Sequence, residues 1–267
     1  MGRILVCGDI HGGYKSLLQV LERAEVTPED KLIFLGDYVD GWPETYEVVE
    51  ELIEIKKRYD CIFLMGNHDK WFDNYLRYNQ ILPIWINQGG QATLDSYKDK
   101  IIPEEHYDFF RHLHNYYVDD QNRGFVHGGF VSKKGLGHDT HQSSYYWDRD
   151  MWELAVANHT NYISDQLKDE DYDFYYRPNP NRFMKHKEIF IGHTSTVMFK
   201  VKPHLPEYKF EEQPKSGSII VPMNRCNVWN LDTGGGWNGK LTIMDIDTKE
   251  FWQSDFIKDL YPNSKGR

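Results

Sequence analysis

Residues 3–12, RILVCGDIHG, decide how this chain folds. Ile4, Leu5, Val6 and Cys7 are four β-compatible residues in a row, which predicts a buried strand, and Gly8 ends it in a sharp turn. Asp9 and His11 follow two apart at the strand's carboxyl end, where a carboxylate and an imidazole can converge on one metal ion. Residues 15–24 predict a helix with Leu17, Leu18 and Leu21 on one face. The motif thus occupies a strand-to-helix turn, where open α/β sheets hold their ligands.

Outward from this stretch the pattern repeats. Runs 31–36 (KLIFLG) and 60–66 (DCIFLMG) predict two more strands that end in glycine followed by an acidic or amide residue. A helix is expected over 45–58, with Val48, Val49, Leu52 and Ile55 on one face and Glu51 and Glu54 turned to water. A β-α-β-α-β run implies a parallel sheet with right-handed crossovers, so the three strand ends lie side by side. Helices at 70–79, 91–98 and 104–115 form an insert over about 70–117. Further on come a strand at 124–127, a helix at 146–159 and a strand at 187–192, with irregular excursions over about 160–187 and 200–217. Runs 218–222, 227–231, 240–246 and 250–254 predict successive antiparallel strands in a second sheet. The polar tail beyond Asp259 is expected to fray. The expectation is one α/β domain over residues 1–267, a two-sheet sandwich flanked by helices, with the site at the carboxyl ends of the first sheet.

Composition narrows the function classes. A chain of 267 residues with 40% hydrophobic and 27% charged residues can bury a large core. Its formal net charge of −10 opposes bulk attraction to nucleic acid or anionic membrane, although bound cations can invert the field locally. Met1 leads straight into the first strand and no apolar run approaches about 18 residues, so the expected location is cytoplasmic. Cys7, Cys61 and Cys226 suit reduced packing thiols and form no zinc motif. Asn158-His159-Thr160 fits a glycosylation sequon, read as accidental without a secretion signal.

Five strand ends carry, in order, Asp9 and His11; Asp37 and Asp40; Asn67, His68 and Asp69; His127; and His193. Each lies beside a glycine, in GDIHG, GDYVDG, GNHD, VHGG and IGHT. Buried without partners, such groups would cost about 1 to 3 kcal/mol apiece, and convergent metal binding accounts for all of them. Carboxylate, amide oxygen and imidazole together suit manganese, iron or zinc. An aspartate shared by two ions fits a two-metal site with a separation of about 3.5 to 4 Å.

These motifs resemble those of the calcineurin-like metallophosphoesterases, in the phosphoprotein phosphatase branch that includes lambda phage protein phosphatase and bacterial symmetrical diadenosine tetraphosphate hydrolase. All five stand in family order over residues 8–194, and the resemblance extends to Asn87-Gln88-Gly89-Gly90, Trp147-Asp148-Arg149 and Leu231-Asp232-Thr233-Gly234. It implies that Asp9 and His11 hold a first metal, that Asp37 bridges, and that Asn67, His127 and His193 hold a second. Manganese is the first choice, with iron or zinc as alternatives. It further implies a hydroxide between the ions as nucleophile, His68 as general acid with Asp40 as its partner, and Arg149 as a phosphate grip. The implied substrate is a phosphoprotein (Ser/Thr) or a small phosphorylated molecule. The alternatives are a symmetrical dinucleoside polyphosphate hydrolase and, third, a catalytically weak protein that binds phosphorylated ligands.

The chain also departs from that pattern. The second motif continues Asp40-Gly41-Trp42-Pro43-Glu44 where the branch carries an arginine, and Met65 stands where lambda-type enzymes carry another. Lys70, Arg77 and Arg123 are the replacements considered, each read first as a solvated charge. Several residues have plainer readings. Asp40 could cap the turn before helix 45–58, Asp69 the helix from Lys70, and Arg149 could be a helical surface charge. His138 and His141 read as exposed loop, and Tyr172, Phe174, Tyr175 and Tyr176 as packing for the excursion. Asp232-Thr233-Gly234 resembles the aspartic protease signature, but that chemistry needs a second such aspartate. A structural turn near the site is the reading kept.

Overall fold

In the computed structural model, which describes residues 2–159, 184–201, 206–208 and 218–267, the first sheet is built on three parallel strands. These are β1 (Ile4–Cys7), β2 (Lys31–Phe34) and β3 (Asp60–Phe63), and Cys7, Phe34 and Phe63 are register partners. The chain therefore leaves all three strands at one level of the sheet. Helices α1 (Tyr14–Arg23) and α2 (Thr45–Arg58) make the crossovers. On α2 the inward face is Val48, Val49, Leu52 and Ile55, as the spacing predicts. On α1 it is Leu17 and Val20, while Leu18 is 39% exposed. Neighbouring helical residues point about 100° apart, so only one of the two leucines can face the sheet.

The later strands, in chain order, are β4 (Tyr116–Val118), β5 (Arg123–Val126), β6 (Glu188–Ile191), β7 (Phe199–Val201), β8 (Pro206–Tyr208), β9 (Met223–Arg225), β10 (Val228–Asn230), β11 (Thr242–Asp245) and β12 (Phe251–Gln253). They do not form one antiparallel run. β11 pairs antiparallel with β1 and β12 with β11, so both complete the first sheet, in the order β12-β11-β1-β2-β3. All four residues of β11 are buried, and the strand covers an edge of β1 whose backbone groups would otherwise lack partners. The second sheet has the order β4-β5-β6-β10-β9. Within it β5, β6 and β10 are parallel, with Phe125 opposite Phe190 and Ile191 opposite Asn230. Each sheet thus has its own set of three parallel strand ends, and the site is not confined to the first sheet as expected.

Three apolar layers hold this arrangement. One packs α1 and α2 on the first sheet, through Leu17, Leu32, Phe34 and Leu52. A second lies between the sheets, with Val6, Ile33, Phe125, Phe190 and Met244, and the Phe125 and Phe190 rings stack at 5.2 Å. The third, with Val126, Trp152 and Ile189, packs the far face of the second sheet on α8 (Asp150–His159), which follows a short α7 (Ser144–Trp147). The single helix expected over 146–159 is divided because Asp148 is extended and its Oδ2 accepts the Met151 N–H, capping the second piece.

In the insert, α3 spans Asn67–Tyr78 and so starts three residues before the expected 70, which places Asn67, His68 and Asp69 on its first turn. α4 (Pro83–Trp85), a wider helical turn at Ile86–Gly90, α5 (Gln91–Tyr97) and α6 (Glu104–Arg111) follow. The last ends before the expected 115 because His114 extends to donate its N–H to Phe63 O and pairs with Leu64. Within 200–217, expected to be irregular, β7 and β8 pair antiparallel. The tyrosine-rich segment with Tyr172, Phe174, Tyr175 and Tyr176 lies outside the described residues. The tail does not fray, since Tyr261 is buried and the Arg267 N–H donates to Gly236 O. No helix among the described residues is long and apolar enough to cross a membrane.

Candidate dinuclear metal site

The turns after six parallel strands meet at the seam between the sheets. Those after β1, β2 and β3 bring Asp9 and His11, Asp37 and Asp40, and Asn67 and His68; those after β5, β6 and β10 bring His127, His193 and Asp232. All nine side chains are buried. The turns are tied to one another through the backbone. The N–H groups of Ile10 and His11 donate to Asp37 O, and the His193 N–H donates to Asp9 Oδ2 at 3.0 Å, joining the two sheets. His11, Asp37, Asp40 and His193 all have positive φ, between 52° and 73°. Such backbone costs about 1 kcal/mol or more per residue and persists only where surrounding bonds hold it.

The hydrogen bonds around the cluster leave acceptors facing acceptors. His11 Nδ1–H donates to Val39 O at 3.1 Å, and His127 Nδ1–H to Leu35 O at 2.9 Å, so in the neutral rings each Nε2 carries a lone pair. His127 Nε2 lies 3.3 Å from both Asn67 Oδ1 and Asp37 Oδ2, and His11 Nε2 lies 3.5 Å from that same Asp37 oxygen. Among the described residues, Asp9 Oδ1, His11 Nε2, Asp37 Oδ2, both ring nitrogens of His193 and Asp232 Oδ2 are buried with no hydrogen-bond partner. Electron pairs converging in this way need a cation between them. A proton is one such cation: burial opposes charge on His127, but Asp37 and then Asp9 raise it to about 9. A metal ion is the other, and the donor set fits it.

Potential ligand atoms form two triads, His11 with Asp37 and His68, and Asp37 with His127 and His193, each with all its atoms within 4.8 Å of one another. Asp37 is common to both. His68 takes the place in the first triad that the sequence assigns to Asp9. Both ring nitrogens of His68 are already engaged, Nδ1–H donating to Asp40 Oδ2 at 2.6 Å and Nε2 accepting from Arg267 Nη1–H at 2.7 Å, whereas Asp9 Oδ1 is unpartnered. Asp9 Oδ1 thus has a free electron pair to offer at this triad. Burial, and next the nearby Asp232 charge, push the Asp9 carboxyl well above its ordinary range.

Asp40 is no helix cap. Its Oδ2 also accepts Trp85 Nε1–H at 2.8 Å and its Oδ1 accepts Thr93 Oγ1–H at 2.6 Å, so the carboxylate is fixed on three sides and orients the His68 ring. Burial lowers the His68 ring to about 3, with Asp37 opposing and Arg267 adding to the shift. Asp69 does not precede the helix as expected but sits in its first turn and reaches back to cap the Gly66 N–H, and it also accepts those of Asp37 and Tyr38. Arg149 Nη1–H donates to His193 O at 3.3 Å, placing its guanidinium beside the second triad.

The candidate replacement cations are engaged elsewhere. Lys70 and Arg77 both pair with Asp73, and Arg123 is no solvated charge but a buried one, held by Asp119 and Asp247 at the far end of β5. His138 and His141 are exposed, as expected. Two residues at the site escape the sequence reading. Asp232 is a buried carboxylate rather than only a turn residue; its signal is the parallel pairing of β10. Arg267, in the tail, carries no motif at all.

The profile of the family described as Calcineurin-like phosphoesterase matches residues 2–196. Among solved structures the fold is similar to that of a candidate diadenosine tetraphosphatase, at 16% identity and a TM-score of 0.55, covering 94% of this chain and 92% of that one. It is similar to a metallophosphoesterase from Sphaerobacter thermophilus, at 19% identity and 0.52, covering 95% and 89%. It is also similar to a protein serine/threonine phosphatase from Saccharomyces cerevisiae, at 15% identity and 0.52, covering 96% and 79%. At these identities the structures speak for the fold alone, while the profile spans most of the chain and agrees with the buried His/Asp triads. The chain belongs to the calcineurin-like phosphoesterases, a family of metal-dependent hydrolases.

Proposed function

We propose that this phosphoesterase is a phosphomonoesterase acting on phosphoserine and phosphothreonine in proteins or on small phosphorylated molecules. The observation that carries the reading is the Asp37 carboxylate shared by two ligand triads with the His68–Asp40 pair beside it. Asp9, His11 and Asp37 would hold one ion, and Asp37, Asn67, His127 and His193 the other. Manganese is the first choice for both, with iron or zinc as alternatives. Bound there, the ions would supply Lewis-acid polarisation of the phosphoryl group and a water acidic enough to attack at neutral pH.

The rest of the chemistry belongs to the chain. In hydrolysis a P–O bond to the water oxygen forms and the P–O bond to the alcohol breaks. The neutral ring's one proton is the Nδ1–H held by Asp40, so His68 would act as its imidazolium: Nε2–H passes to the alcohol oxygen as that bond breaks, and the spare proton of the water returns to Nε2. Asp40, held by Trp85 and Thr93, keeps the ring facing the centre. Arg149 would bind phosphoryl oxygens from the His193 side with its planar fork of donors.

A second reading, dinucleoside polyphosphate hydrolysis, draws on the aromatic rim. Trp71 and Trp147 meet edge-to-face at 5.1 Å, Trp71 against His68 and Trp147 against His193. Trp147 is 42% exposed on a depression of about 450 Å³ also lined by Arg149, a surface on which a base could stack. Binding without catalysis is disfavoured, because binding needs no oriented proton donor.

The test is a substrate panel on metal-reconstituted protein: p-nitrophenyl phosphate, peptides carrying phosphoserine, phosphothreonine or phosphotyrosine, diadenosine tetraphosphate and a diester. Manganese-dependent turnover, highest on monoesters and abolished by a chelator, is expected. Diadenosine tetraphosphate far above the peptides would favour the second reading, and no metal-dependent turnover on any substrate would sink both.

A further inference from the structure

Arg267 reaches the site from a segment without any motif, and its root is fixed on several sides. Its N–H donates to Gly236 O at 3.1 Å, and its guanidinium lies 5.1 Å over the Trp237 ring. Gly266, with φ of 70°, lies on Trp42, which in turn stacks on Tyr261. Two more glycines make the slot for the side chain. A Cβ added at Gly41 would stand 3.4 Å from the Arg267 Cβ, and one at Gly89 would stand 2.9 Å from it. Gly41 and Gly89 are themselves joined by an N–H···O bond of 3.1 Å.

The head of the side chain is less well satisfied than its root. Nη1–H donates to His68 Nε2, and Nε is buried with no hydrogen-bond partner among the described residues. A guanidinium offers five N–H donors in a fixed fork, and a neutral imidazole nitrogen is a poor match for it. Nη1 stands 2.7 Å from Nε2 of His68, a member of the first triad, so the charge lies at the edge of the site. A partly buried cation with an unfilled donor, aimed at a site whose reacting group is an anion with several oxygens, has an obvious ligand.

We propose that Arg267 is a phosphate-binding catalytic residue, whose guanidinium receives non-bridging oxygens of the substrate's phosphoryl group on the His68 side while Arg149 does so on the His193 side. The assignment rests on the phosphoesterase chemistry proposed above. It also gives the contact with His68 a purpose. Without substrate the guanidinium rests on Nε2, the nitrogen that must face the leaving oxygen. When a phosphoryl group arrives, the guanidinium turns to its oxygens and leaves Nε2 open to the leaving group.

The experiment compares the full-length metal-loaded protein with Arg267→Ala, Arg267→Lys and Arg267→Gln. It reads kcat and KM for p-nitrophenyl phosphate, the inhibition constant of inorganic phosphate, and metal content by elemental analysis. Arg267→Ala and Arg267→Gln are expected to lower kcat/KM about 100-fold. They should weaken phosphate inhibition at least about tenfold and leave metal content unchanged. Arg267→Lys should recover part of the loss, and millimolar guanidinium should partly rescue Arg267→Ala. Unchanged phosphate inhibition, even with reduced kcat, would assign Arg267 to His68 alone and overturn the proposal, as would a loss explained by lower metal content in all three variants. An inactive wild type would instead count against the phosphatase reading, so the two failures are distinct.

Discussion

Asp69 and Asp37 are joined by the same oxygen that caps helix α3: Asp69 Oδ2 accepts the Asp37 N–H at 2.7 Å and the Gly66 N–H at 2.9 Å. Its Oδ1 accepts the Tyr38 N–H at 2.8 Å. Starting the third motif's helix and aiming the shared aspartate are therefore one interaction. Asp69→Asn turns one acceptor into a donor that faces N–H groups, which should cost about 1 to 3 kcal/mol. Thermal unfolding and metal analysis should both register the loss, and an intact metal content at wild-type stability would contradict this role.

Two glycines leave room for carboxylates. A Cβ at Gly66 would stand 2.1 Å from Asp37 Oδ1, and one at Gly192 would stand 2.1 Å from Asp9 Oδ1. Neither neighbour can retreat, because Asp37 Oδ1 also accepts the His68 N–H and Asp9 Oδ2 the His193 N–H. Gly66→Ala and Gly192→Ala should therefore bind less metal than wild type, as measured by elemental analysis after reconstitution. Two full equivalents in either variant would refute the proposed ligand roles.

If His68 protonates the leaving oxygen, its removal should matter most when that oxygen is basic. His68→Ala should keep its metals and lower kcat by about 100-fold or more on a phosphoserine peptide. On p-nitrophenyl phosphate, whose phenol leaves readily, the loss should be smaller. Equal losses on the two substrates would remove His68 from the role of acid.

Away from the site, Asp30 binds the start of β1 to the turn before β2. Its carboxylate accepts from the Arg3 backbone and side chain and from the Thr27 N–H. Burial opposes the charge, but the Arg3 bond, the Thr27 N–H and the Arg3 N–H hold its pKa down at about 2, against an ordinary 3.8. A lowered pKa means stability present above the ordinary value and lost as pH falls toward about 2. With Arg3 about a third exposed to water, the contribution is on the order of 1 kcal/mol. Asp30→Asn should melt below wild type at pH 7, and the gap should close between pH 4 and 2. A gap independent of pH would rule out the ionic origin.

The residues proposed for the metal site, which the structure gathers into one buried cluster, are legible in the sequence because each stands within a few positions of a strand's last apolar residue, and strand ends are local patterns. Asp40 and His68 are legible for the same reason, although Thr93 and Trp85, which hold Asp40, come from an insert whose packing no local rule reveals. Asp232 depends on β10 running parallel to β6, and a short alternating run does not state which partner it chooses or in which direction. The transfer of β11 and β12 to the first sheet is hidden for that reason too. Arg267 is the extreme case. Its position comes from outside its own polar segment, from the Gly236 carbonyl, the Trp42 and Trp237 rings and two distant glycines.

The divided origin of the centre has a mechanical consequence. Asp9, Asp37 and Asn67 are carried by one sheet, His127 and His193 by the other, and Val6, Ile33, Met244 and the stacked pair Phe125 and Phe190 lie between. Phe125 and Phe190 each stand two residues before the turn that delivers a histidine. The gauge between the two halves of the site is thus a thickness of hydrocarbon, set by close-packed rings rather than by any charged group. Thinning that layer, for instance with Phe190→Leu, would retune the spacing of the proposed ligands without altering one of them. The driest part of the molecule acts as the ruler for its most polar part.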